Sequence, residues 1–174
     1  ALSTVLAVFF TGLGAGSFGF GRLAPSIKHP LLWCALIEFV LALNGIASPF
    51  IFAWMEHGFG LLYQRYTPDA LQINVIRMFC VTLILFPPCV LMGGTLPLFC
   101  RQLIRLDHLI ATPLSRIYGV NTLGAAAGSF ITGFYGLPEL GLTLSAQSAA
   151  VLNLAVSLGF LGLHIGSRSE VRHD

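Results

Sequence analysis

Long apolar runs, broken by short polar punctuation, organise this chain. Five stretches are long enough to cross a hydrocarbon layer about 30 Å thick, which takes roughly 20 residues of helix. They cover about residues 1–21, 30–55, 76–100, 114–138 and 141–166. None alternates with the two-residue period of a barrel strand, so helices are expected. The longest connection, about Glu56 to Val75, carries Tyr63, Tyr66 and Pro68 and is expected to be a polar surface loop. Arg101 to Leu109 mixes basic and aliphatic residues and is expected to form a short interfacial helix.

Composition agrees with the pattern. Of 174 residues, 56% are apolar and 9% charged, too few charges to clothe a water-facing surface. The same figures exclude a disordered chain. A net charge of +2, spread along the sequence, gives no footprint for nucleic acid. The expected fold class is therefore an all-α integral membrane bundle, with a transmembrane domain over 1–167 and a cytoplasmic tail over 168–174.

Basic residues orient it. Arg22, Lys28, Arg101, Arg105, Arg116, Arg168 and Arg172 fall on one expected side, and Arg65 and Arg77 on the other. Positive charge favours the cytoplasmic face. This predicts a plasma (inner) membrane protein with its C-terminus in the cytoplasm. The chain opens on Ala1 inside an apolar run, with no basic leader region or cleavage site, so no signal peptide is expected and the end reads as cut or processed.

The first and fourth spans repeat each other. Residues 2–21, LSTVLAVFFTGLGAGSFGFG, align without a gap on residues 114–133, LSRIYGVNTLGAAAGSFITG, at an offset of 112. Gly12/Gly124, Ala15/Ala127, Gly16/Gly128, Ser17/Ser129, Phe18/Phe130 and Gly21/Gly133 are among the matches. The spans lie three apart and so cross in opposite directions, the pattern of an inverted repeat. A 3+3 bundle is expected, whose first helix would lie upstream of Ala1. The glycines spaced by four, Gly12, Gly16, Gly124 and Gly128, are expected to let the two repeat helices cross closely near the pseudo-two-fold axis. A backbone-lined substrate path is the alternative reading.

Several residues could carry chemistry. Gly14-Ala-Gly16-Ser-Phe-Gly19 matches GxGxxG, but the chain lacks the polar residues of an α/β domain and the repeat copy does not keep the motif, so a dinucleotide site is rejected. Glu38 is an acid deep in a span, which is costly unless paired or protonated and marks a functional site by default. Its expected partners are Asn44, Asn121 and Asn153; a protonated Glu38 bonded to a neighbouring helix is the structural alternative. Pro87-Pro88, Gly93-Gly94 and Pro97 are expected to kink or break the third span, making it a candidate gate. The four cysteines have no CxxC spacing and read as buried apolar thiols. No metal site and no cofactor are expected.

The phrases LMGGTLPLFCR and SRIYGVNTLGAAAGSFITGF, followed by a leucine-rich last helix, resemble the membrane region of integral-membrane spermidine synthase-like proteins, the polyamine aminopropyltransferase homologues. STVLAVFFTGLGAGSFGFGRLA is similar to that family's second helix. The resemblance covers most of the chain. It implies a soluble cytoplasmic aminopropyltransferase domain after the last helix, binding decarboxylated S-adenosylmethionine through a Gly-rich loop and using Asp residues on the amine. Ten residues follow His164 and hold no such loop, so the family's catalytic residues map onto no position here. Three roles are expected: a membrane domain that anchors a spermidine synthase-like enzyme and passes its polyamine substrate or product, a non-catalytic structural subunit of a larger membrane complex, or a small transporter-like module. Lipid is the expected partner in all three; a catalytic domain or other membrane subunits join it in the first two.

Overall fold

A computed structural model describes residues 2–66, 69–106 and 111–170. Among these, only residues 27–29 and 69 lie outside helix, and there is no strand. Five α-helices run in order: α1 (Leu2–Leu23), α2 (Pro30–Tyr66), α3 (Ala70–Leu106), α4 (Ala111–Ile131) and α5 (Gly141–Glu170). A 3₁₀ turn, Ala24–Ser26, follows α1, and a π-helical segment, Thr132–Leu140, joins α4 to α5.

Four stretches are long and apolar enough to cross a membrane: Ser3–Ser26, Pro30–Arg65, Leu71–Leu103 and Ser115–Gly166. The last holds 52 residues, about 78 Å if it were one straight helix, far more than a bilayer needs. It is not straight. Gly141 has φ 72° and ψ 177°, a conformation nearly reserved for glycine, and its N–H bonds back to the Leu137 carbonyl. Asn121 and Val156, 35 residues apart, line the same cleft, so the chain bends between α4 and α5.

Side-chain contacts give the directions. Thr4 lies by Met78 and Phe20 by Gly94, so α1 and α3 run parallel. Ser157 meets Ala35 while Ala150 meets Gly45, so α2 and α5 run antiparallel. Phe59 lies under the Arg77 guanidinium, 5.3 Å from ring centre to carbon, and Cys34 lies near Thr95, so α2 and α3 are also antiparallel. A small core of Ala24, Cys34, Ile37, Leu41 and Leu98, flanked by Phe20, Phe99 and Phe160, ties α1, α2, α3 and α5 together at one end. The exterior is apolar, with Trp54, Leu71, Phe79 and Leu123 each more than two-thirds exposed. Water solvates such a surface poorly.

Four expectations need correction. The 56–75 segment is not a loop: α2 continues to Tyr66 and α3 starts at Ala70. Phe59 and Ile73 are buried there, and this burial supports helix beyond residues 30–55 and 76–100. Arg101–Leu109 is not a separate interfacial helix; α3 runs on to Leu106, and 107–110 fall outside the described residues. Of the kink or break expected in the third span, the break does not occur: α3 is helical through Pro87, Pro88 and Pro97. Finally, α1 crosses α3 and not α4. A methyl group at Gly12 would come within 2.6 Å of the Cys89 Cβ, and one at Gly16 would strike the Val90 backbone. A methyl at Gly124 or Gly128 meets nothing within 4 Å.

Candidate functional site

Close helix packing places the candidate site. The α2–α5 crossing is tight because Gly45 faces Ala150 and the buried Ser157 hydroxyl donates to the Ala35 carbonyl at 2.7 Å. The α1–α3 crossing is tight because Gly12 and Gly16 face Cys89 and Val90, while Gly93 and Gly94 accept Leu13 and Phe20. The Ser17 hydroxyl donates to the Gly93 carbonyl at 2.9 Å. Gly93 and Gly94 therefore serve as a packing surface for α1.

α4 stands off from this assembly. The gap between it and α2, α3 and α5 is a cleft of about 390 Å³. Such a volume lies at the small end of the range for small-molecule sites. Apolar walls come from Leu96, Phe99, Val120, Val156 and Phe160, with Phe99 and Phe160 in edge contact at 5.5 Å. The polar groups are Glu38, Thr95, Asn121 and Arg116. Thr95 donates its hydroxyl proton to the Met92 carbonyl at 2.8 Å, which leaves its oxygen free to accept. The Glu38 carboxylate is half-buried and makes no hydrogen bond or ion pair among the described residues. The cleft thus presents three acceptors, Glu38, Thr95 and the Asn121 carbonyl, with the Arg116 cation on α4.

Of the polar residues expected around Glu38, the fold brings Asn121 to the cleft and leaves Asn44 and Asn153 off its walls. Asn44 lies six residues beyond Glu38 on α2, about 240° around the helix. Thr95 carries no signal of its own in the sequence, lying two residues from the Pro97 expected to distort the same turn of α3. The GxGxxG match lies wholly within α1, without the strand and turn a phosphate site requires.

A second cleft, about 590 Å³, opens between α2 and α3 and is lined by Trp54, Met55, Phe59, Leu62, Leu83 and Ile84 among others. Its walls are apolar and suit an acyl chain. Near the other end of α2, the His29 and His164 rings meet edge-on at 5.2 Å and join the start of α2 to α5.

Comparisons with protein-family models, curated proteins and solved structures find no match to this chain.

Proposed function

We propose that this chain is the membrane domain of a spermidine synthase-like protein, lodged in the inner membrane with its C-terminus in the cytoplasm. It anchors a cytoplasmic aminopropyltransferase domain and gives the polyamine substrate or product a polar foothold between helices. The observation that carries this reading is the cleft around Glu38. One carboxylate and two neutral acceptors, flanked by apolar walls, match a flexible chain of methylenes with a terminal ammonium group. The methylenes lie on Leu96, Val120 and Phe160, and the ammonium meets Glu38, Thr95 and Asn121. Five crossings are inferred, with α4 and α5 counted separately because the backbone conformation of Gly141 interrupts the helix between them.

Uptake of labelled spermidine or putrescine into proteoliposomes tests the proposal. Uptake is expected to depend on Glu38 and to be lost in Glu38→Gln. An unchanged rate in that variant removes the polyamine reading.

A second reading has its own observation. Residues 120–135 of α4 and the π segment are exposed throughout, as a helix awaiting a protein neighbour would be. This favours a non-catalytic subunit of a larger membrane complex. Purification in mild detergent separates the two: a stable complex with other chains, together with absent polyamine uptake, selects the second.

A further inference from the structure

The two clefts of this fold differ in the sense of their polar groups. Around Glu38 those groups accept hydrogen bonds. In the larger cleft between α2 and α3, about 590 Å³, they donate. Its walls are apolar, with Ile51, Met55 and Phe59 from α2 facing Leu83 and Ile84 from α3. Trp54 and His57 bring ring N–H groups to it, and no Asp, Glu, Asn, Gln, Ser or Thr among the described residues lines it.

A cation stands at the rim. Arg77, Cys80 and Ile84 are spaced by three and four residues on α3, which puts them on one face of the helix. Cys80 and Ile84 line the cleft, and Arg77 continues their row toward the start of α3. Its guanidinium lies over Phe59, a wall residue, 5.3 Å from the ring centre. A ring face attracts the charge but gives the five N–H donors no strong acceptor. Those donors have no hydrogen-bond or ion-pair partner among the described residues, and Glu56, three residues before Phe59, makes no ion pair with them.

We propose that this cleft seats one phospholipid of net negative charge, its tail along the α2–α3 groove and its phosphate on Arg77. The surroundings supply such a molecule, because the cleft lies within two stretches long and apolar enough to cross a membrane, Pro30–Arg65 and Leu71–Leu103. A bare hydrocarbon chain fills the groove but leaves the guanidinium without an acceptor. A free anion meets the guanidinium but leaves the apolar walls uncovered. A phospholipid does both, and its phosphate matches the planar fork of an arginine. The head carries net negative charge because a choline head would bring its own cation beside the phosphate and set it against Arg77. None of this rests on the polyamine reading.

Photolabelling of the protein in phosphatidylcholine nanodiscs tests the proposal. Trace phosphatidylglycerol with a diazirine in its tail should label residues 51–62 and 80–84, as located by peptide mass spectrometry. The matching phosphatidylcholine probe should label them about fivefold less, the effect of one basic residue on an anionic lipid. Arg77→Gln should bring the phosphatidylglycerol signal down to the phosphatidylcholine level, while loss of Arg65, an exposed cation off the cleft walls, in Arg65→Gln should leave it. Gly58 lines the cleft with open space where a side chain would start, so Gly58→Leu fills the groove without a clash and should remove labelling there by both probes. Gly60→Leu, equally unhindered but off the walls, should not. Equal labelling by the two probes, an equal loss in Arg65→Gln, full labelling in Gly58→Leu, or adducts confined to other helices overturns the proposal. Polyamine uptake does not enter the measurement, so the two readings fail separately.

Discussion

At the residue scale, glycine makes this fold by being absent as a side chain. Lipid tails are as apolar as leucine, so helices inside a membrane gain little by hiding apolar surface and depend on close contact instead. Gly16 lets the α1 backbone reach the Val90 backbone, and Gly93 lets α3 reach Leu13. Gly16→Leu should therefore cost about 1–3 kcal/mol, the usual range for overpacking, read as a lower unfolding midpoint in detergent. Gly14→Leu, two residues away and facing open space, should leave the midpoint nearly unchanged. The buried Ser157 hydroxyl is a smaller contributor. Ser157→Ala removes its bond to the Ala35 carbonyl and should cost about 0.6 kcal/mol, the average for such bonds between membrane helices, with the loss seen at the α2–α5 pair.

At the scale of elements, two features answer to different physics. α2 and α3 each run 37 residues, about 55 Å, well past the width of a hydrocarbon layer. Their overhanging ends hold each other through buried Phe59 and Ile73 and the Arg77 guanidinium over Phe59. Phe59→Ala should loosen these ends without disturbing the α2–α5 crossing. Faster amide hydrogen exchange confined to residues 56–66 and 71–77 is the expected signature. The α4–α5 junction instead depends on one backbone angle. Gly141 sits where other residues rarely go, and Gly141→Ala should cost about 1–3 kcal/mol by forcing that angle on an L-residue. Gly162→Ala, in open space on α5, should leave the unfolding midpoint nearly unchanged.

Seen as a whole molecule, the chain is a set of apolar helices with a narrow core at one end and a cleft beside α4. Most large apolar side chains of α4 and α5 face outward. The protein should stay with the membrane through an alkaline carbonate wash and precipitate when detergent is removed. A monodisperse species in plain buffer would contradict the membrane reading. A reporter fused after Asp174 should be active only if it is a cytoplasmic one, following the seven-to-two bias of basic residues.

Helix class and apolar spans can be read along the chain, since each depends on residues near one another in sequence, and the likeness of the first and fourth spans needs only a comparison of two strings. Glu38 stood out for the same reason, as an acid surrounded by apolar neighbours. Its companions could not be read this way. Asn44, Asn121 and Asn153 were equal on polarity alone, and only the placement of α4 brought Asn121 to the cleft. Nor does the Pro87-Pro88 pair show from sequence that α3 stays helical through it, packed on α1 across the following turn. The repeat motif was visible, but not its partner: the glycine stripes read as α1 on α4, and the fold seats α1 on α3. Local polarity and periodicity determine where a helix forms, because backbone hydrogen bonding closes within four residues. Which helices touch is decided by shape over the full length of each surface, and that exists only once the bundle is assembled.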